Sequence, residues 1–215
     1  MTKSFISIVI LVLFAKFVQA QCPSILVINS QGTVNTFLTE YPGCTTLPGD
    51  VTISGDNITS LAPLIGLKGI KGNLLINTTN LTDLTGLDSL SFIGKDLNIW
   101  FTKKLVNLKG LDNLKSIGGQ LDIYFNYDIE NLTGLNQLDS VGTSIYVGGN
   151  SLLVSITALN KIKKVWGDLT VGGSNKIHSL SGLENITTVA GSLGIYQVKR
   201  LKQLTELKNA TNTNR

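Results

Sequence analysis

The chain is poor in the residues that do chemistry. Its 215 residues include one histidine, His178, and two cysteines, Cys22 and Cys44. No set with metal-ligand spacing can be drawn from so few donors, so neither a metal nor a cofactor is expected. No Ser–His–Asp or Cys–His nucleophile can be assembled, and His178, between apolar positions Ile177 and Leu180, reads as a surface-turn residue. Charge is scarce as well: 15% of residues are charged, with a formal net charge of +4. That is a small excess, not a basic patch, and it argues against nucleic acid as a partner. The glycine pairs Gly148-Gly149 and Gly172-Gly173 lack the strand-to-helix setting of a phosphate loop. No apolar tail closes the sequence, so neither a membrane span nor a lipid-anchor signal is expected there.

What is present begins with a leader. Lys3 precedes an apolar run over 5–15, too short to span a bilayer. Val18-Gln19-Ala20 is a small-residue cleavage site, so 1–20 reads as a secretory signal and Gln21 as the new N-terminus. Loss of Lys3 and Lys16 leaves a charge of about +2. In an oxidising compartment Cys22 and Cys44 are expected to pair, two free thiols being the alternative. Residues 21–48 read as an N-terminal cap. Residues 25–28 are a candidate strand, and Val34, Phe37, Leu38 and Tyr41 fall on one face of a short helix that Pro42-Gly43 ends.

The body of the chain is a repeat. A short strand of the form G-x-L-x-I returns at Val51/Ile53, Leu74/Ile76, Leu97/Ile99, Leu121/Ile123, Ile145/Val147, Leu169/Val171 and Leu193/Ile195. The steps are 23, 23, 24, 24, 24 and 24 residues. A fixed period of that length marks a solenoid. From Leu121 the apolar positions continue at Ile123, Ile129, Leu132, Leu135, Leu138 and Val141, and later coils keep the phase. The first pair alternates as a strand does. The tail has period three, which a helix of 3.6 residues per turn would drift from and short turns or 3₁₀ segments would not. Gly118, Gly142, Gly167 and Gly191, just before the strands, are expected to supply freedom of φ at a bend. One coil cannot make an interior by itself. Parallel pairing of equivalent strands, about 4.8 Å apart, must supply it, giving a rod roughly 30–35 Å long. About seven coils occupy 49–207, and 208–215 is a polar tail expected to fray. The uncovered end after Leu207 is a candidate for end-to-end self-association.

The coils resemble the receptor L-domain family, the ligand-binding lobes of the epidermal growth factor and insulin receptors, with related repeats in fungal Ecm33 and sporulation-type wall proteins. The residues that carry the resemblance are G-x-L-x-I-x-x-N-x-x-L-x-x-L-x-G-L-x-x-L-x-x-I-G-G, best matched in 97–119 and 121–142, where Leu-x-Gly-Leu and Asn126 appear. The Cys–helix–Cys-x-x-L-x-G-D-V-x-I start is similar too. The resemblance covers about 22–207 and implies a right-handed parallel β-helix that binds proteins. The 215 residues hold no cysteine-rich module, second L domain, membrane helix or kinase, so what it implies is a binding module, not a signalling receptor.

Candidate sites lie on the outward strand face. Trp100-Phe101 and Tyr124-Phe125 fall at equivalent positions of adjacent coils, with Tyr127 and Tyr146 nearby and Tyr196 in the Trp100 column. Such an edge can bind sugar rings or a protein hot spot, or else pack the turn. The glycines between Tyr124 and Tyr196 are expected to leave a shallow depression. Six N-x-S/T sequons stand at Asn57, Asn77, Asn80, Asn131, Asn185 and Asn209, which suits a secreted glycoprotein and leaves the middle of the strand face clear. Asp96 and Asp122 lie diagonally on that face, about 7–8 Å apart. By analogy with polysaccharide-cleaving β-helices they are a candidate acid/base pair. Full solvation would leave neither pKa raised, which argues against catalysis. The outward column Thr52, Leu75, Asn98, Asp122, Tyr146, Thr170, Gly194 is no threonine ladder, so ice binding is excluded. The expected function is a secreted, cell-surface or wall-associated module that binds a protein or glycan without catalysis. A structural wall or matrix glycoprotein and a polysaccharide-acting enzyme are the competing classes.

Overall fold

The computed structural model describes residues 21–212; the leader expected at 1–20 lies outside them. The described chain is a β-solenoid. Eight strands form one parallel sheet in strict chain order: Ile25–Ile28, Asp50–Ser54, Leu74–Asn77, Leu97–Trp100, Leu121–Tyr124, Ile145–Gly148, Leu169–Gly172 and Leu193–Tyr196. Leu97 pairs with Leu121, Leu121 with Ile145, and Ile145 with Leu169. The repeat therefore stacks like on like.

The seven inward positions of each middle coil are its core. From Leu121 to Val141 all seven are at most 1% exposed. One apolar cluster runs unbroken from Leu26 to Leu207. The period-three tail is a chain of tight turns. The Leu135 N–H donates to the Leu132 carbonyl at 3.1 Å and the Leu138 N–H to the Leu135 carbonyl at 2.9 Å, and Leu108, Leu111 and Leu114 repeat the pattern. Short 3₁₀ segments replace it at Ala62–Leu64, Thr157–Leu159 and Thr205–Leu207. Two further parallel sheets close the coils, one of five two-residue strands and one of three.

A buried polar column threads the interior. Thr79, Thr102, Asn126, Asn150 and Ser174 are all fully buried. Asn126 Oδ1 accepts from the Thr102 N–H at 3.1 Å and its hydroxyl at 2.7 Å, while Asn126 Nδ2 donates to the Ile99 carbonyl at 2.8 Å. Asn150 repeats this one coil on, taking the Asn126 N–H at 2.9 Å and donating to the Ile123 carbonyl at 2.9 Å. The chain turns away from the long sheet here, and the amides supply what the ladder no longer can.

The strand at 25–28, the short helix and the Cys22–Cys44 bridge stand where the sequence places them, while other expectations are corrected. The N-terminal segment is itself a coil: Leu26 and Ile28 are a further copy of the strand pair, in register with Val51 and Ile53. Helix Gln31–Glu40, capped by the Ser30 hydroxyl, packs against Ala62–Leu64, and Gln31 Oε1 accepts the N–H groups of Thr59 and Ser60. Val34 and Phe37 are buried, but Leu38, expected on the same face, is 51% exposed. The disulfide joins Cys22 and Cys44. The glycines before the strands answer crowding, not φ: a Cβ on Gly142 would stand 1.9 Å from the Gly118 carbonyl oxygen. Positive φ falls instead in the Leu-x-Gly-Leu motif, at Gly86, Gly110, Gly134 and Gly182. The tail is ordered further than expected, because Thr211–Asn212 pairs with Thr188–Val189. Leu193 and Leu204 repeat the buried positions of Leu169 and Leu180 but are 41% and 54% exposed, since no described coil covers them.

Candidate functional site

Five side chains at or just before the starts of strands in the long sheet tie one coil to the next. Asp50 Oδ1 accepts the Asn73 N–H, Asn73 Oδ1 the Asp96 N–H, and Asp96 Oδ1 the Gln120 N–H, at 2.8, 3.1 and 2.9 Å. Ser144 and Asp168 do the same for Asp168 and Ser192. Asp96 is thus committed to the backbone. Asp168 also accepts the Tyr146 hydroxyl at 2.9 Å; the Ser192 N–H first and this hydroxyl second hold its carboxyl below the ordinary range.

The residue after each of the last six of these strands takes a left-handed turn. Phe101 and Phe125 have φ of 52° and 51°, in one column with Thr78, Gly149, Gly173 and Gln197. Such φ values are unusual for bulky residues and cost about 1–2 kcal/mol each relative to glycine. Glycine makes the same turn in the next two coils after Phe125, so backbone geometry alone does not call for a ring. The two phenylalanines stack, centroids 5.6 Å apart and 19° off parallel, and Tyr124 tilts against Phe125 at 4.2 Å. All three remain 36–44% exposed.

The glycine depression is filled. A Cβ on Gly148 would meet the Tyr124 ring and the Tyr196 hydroxyl at 2.9 Å each, and one on Gly172 would lie 2.4 Å from the Tyr196 ring. A Cβ on Gly149 would be 2.6 Å from the Phe125 ring. The rings lie down on the glycines from both sides. Burial, then the neighbouring Tyr124, pushes the Tyr196 phenol above its ordinary pKa. The open space is displaced to the adjoining column, as a hollow of about 350 Å³ lined by Gln120, Asp122, Tyr124, Tyr146 and Tyr196.

Asp122 contradicts the expectation of a fully solvated face. Burial raises its pKa above the ordinary value, and the Trp100 indole N–H draws it only partly back. Asp122 Oδ1, Asn98 Oδ1 and Trp100 Nε1 are buried and close no hydrogen bond. Asn98 and Asp122 are register partners, and Trp100 lies two residues on from Asn98. This patch holds two acceptors and one donor. It was invisible in sequence because burial of an outward position depends on which way neighbouring rings fall.

Of the aromatic residues read from the sequence, Tyr124, Tyr146 and Tyr196 line the hollow. Trp100, Phe101 and Phe125 do not line it; Trp100 is the register partner of Tyr124, and Phe101 reaches Tyr124 through the Phe125 ring. Tyr127 lies outside it, 55% exposed. Trp166, 60% exposed with Lys164 Nζ 5.5 Å from the ring centroid, is an outward aromatic that the strand columns did not signal. His178 is exposed, two residues past the turn at 175–176. Among the sequons, Asn57, Asn185 and Asn209 are exposed, while Asn77, Asn80 and Asn131 are half-buried. Asn77 is the register partner of Trp100, so a glycan there would border the aromatic edge. Among the described residues no group of three or more His, Cys, Asp or Glu could hold a metal ion, and no helix is long and apolar enough to cross a membrane. No family model, curated protein or solved structure matches this chain.

Proposed function

We propose that the chain is a non-catalytic recognition module, a receptor-L-like solenoid that works outside the cell, at the cell surface or wall, and binds a protein or glycan through the outward face of its long sheet. One observation carries the reading. The Phe101 and Phe125 rings, at positions where glycine serves in later coils, are held in costly backbone conformations and left open, beside a tyrosine-lined hollow with a half-buried carboxylate. Backbone strain retained where glycine would serve marks a surface kept for what it touches. The Cys22–Cys44 bridge supports an extracellular setting.

A polysaccharide-acting enzyme is the weaker reading. Its candidate pair loses Asp96 to the Gln120 N–H. Asp122 is left without a second free carboxylate beside it, and that pair is what such hydrolysis needs. A purely structural wall glycoprotein would leave the exposed rings without a purpose.

The test is binding of the glycosylated chain to glycan arrays and to intact cell surfaces, with Trp100→Ala, Phe101→Ala and Phe125→Ala beside it. The module reading expects retained folding and binding reduced by about tenfold or more for at least one ring, as hot-spot residues show. Binding that is unchanged in all three places the function elsewhere on the molecule.

A further inference from the structure

The three outward columns of the long sheet have a one-sided charge. They carry Asp50, Asp96, Asp122 and Asp168, and from Asp50 to Tyr196 not one lysine or arginine. Yet the chain has 18 basic and 14 acidic residues. Among the described residues every lysine and arginine is on another face. An anionic strip on a chain of positive net charge is a local field that favours cations.

Within that strip three of the four carboxylates accept backbone N–H groups: Asp50 from Asn73, Asp96 from Gln120 and Asp168 from Ser192. Asp122 differs. Its Oδ1 is buried and unpartnered, as are the Oδ1 of its register partner Asn98 and the Trp100 indole N–H. The patch is short of a donor. Tyr124, Tyr146 and Tyr196 surround it. Aromatic faces attract cations through their quadrupoles, the more so when the site is partly desolvated. A neutral sugar would stack on such rings but would leave the carboxylate's charge unanswered.

We propose that this hollow receives the cationic head of a lysine or arginine, presented by a basic segment of a partner protein lying along the acidic strip. This rests on the recognition reading above and names its ligand class. The occupant is a polypeptide and not a free amine because the carboxylates extend beyond the hollow. From Asp50 to Asp168 they span five coils, about 24 Å at sheet spacing, which a small amine could not follow.

The experiment titrates the full chain, disulfide intact, with a labelled, end-capped peptide of alternating lysine and glycine, followed by fluorescence anisotropy at two salt concentrations. A peptide with glutamine for each lysine, n-butylammonium and a neutral β-glucan oligosaccharide form the other arms. Asp122→Asn and Tyr196→Ala probe the hollow, and Asp139→Asn makes the same charge change at an exposed position outside it. The proposal expects lysine-dependent, salt-sensitive binding. Asp122→Asn should weaken it by about tenfold or more, as loss of one member of a desolvated charge pair does, and Asp139→Asn should change it by less than about twofold. Equal binding by wild type and Asp122→Asn, or by the glutamine peptide, overturns it. Butylammonium binding as tightly as the peptide overturns the polypeptide source. Oligosaccharide binding that Tyr196→Ala removes and Asp122→Asn leaves intact overturns the cation while upholding a recognition face. No binding in any arm, together with unchanged cell-surface binding of the ring variants, removes both readings.

Discussion

Replacing Asn126 by alanine should cost more than most core truncations, although it removes no hydrocarbon. The side chain is fully buried. It receives the Thr102 N–H and hydroxyl and donates to the Ile99 carbonyl, so its loss strands three buried polar groups in two segments of the preceding coil. Leaving one buried group unsatisfied costs about 1–3 kcal/mol. Water entering the vacated space would relieve part of this, which places the expected loss at about 3–5 kcal/mol. Thr79, in the same column, has a buried hydroxyl oxygen with no partner. Thr79→Val should therefore be neutral or stabilising by about 1 kcal/mol, with its own burial unchanged. Urea unfolding monitored by circular dichroism measures both. If Asn126→Ala loses under about 1 kcal/mol, or Thr79→Val loses more than it does, the polar column does not join the coils in the way described.

The acid side of the stability profile should carry Asp122. Burial raises its native pKa above the ordinary 3.8, so within that window the folded state holds more protons than the unfolded one. Stability then falls as pH rises through the window, and the deficit persists at neutral pH. Asp122→Asn should accordingly unfold at higher urea than wild type at pH 7, and the gain should shrink below the ordinary value; a loss at pH 7 would contradict this. Gly134, at φ 113° with the Leu108 carbonyl oxygen 1.9 Å from where a Cβ would stand, should not accept alanine. Strain alone makes Gly134→Ala cost at least about 2 kcal/mol, and a thermal midpoint equal to wild type would refute the close approach. Gly172→Ala should be mild in stability, since the atoms nearest the new methyl belong to the movable Tyr196 ring, but should shift the tyrosine fluorescence and near-ultraviolet circular dichroism as that ring lifts.

The interior was legible because it repeats. Every coil presents the same apolar positions to the same neighbours, so a period of 24 residues is already a map of the core. Where a residue departs from the repeat, sequence alone was weaker. Leu38 matches the helical spacing of Val34 and Phe37, yet the contact with Ala62–Leu64 leaves that position in solvent. The glycines before the strands read as hinges, whereas the constraint is the carbonyl of the coil beneath, a contact that only stacking creates. Asn126 was visible as part of a motif. Its role became clear only once Thr102 and Asn150 were seen above and below it. The outward aromatics were legible as a column, but their rotamers decide that the glycines are covered and Asp122 is half-buried. Side-chain direction on a non-repeating face leaves no period to read.

The stacking of equal slices of chain can be measured as a distance. Lys68, Lys163 and Thr187 are exposed and hold equivalent places in their coils; hydrogen bonds between successive coils run from Lys68 through Ser91 and Lys115 to Asp139, and from Lys163 to Thr187. Spin labels at 68 and 163 should lie about 19 Å apart, and at 68 and 187 about 24 Å, one sheet spacing more for 24 further residues. Double electron–electron resonance on the two doubly labelled chains gives both values. A difference near one sheet spacing is the predicted result. Equal distances, or a difference of ten ångströms or more, would mean that the coils do not lie one upon another, and the face assembled from them would not exist.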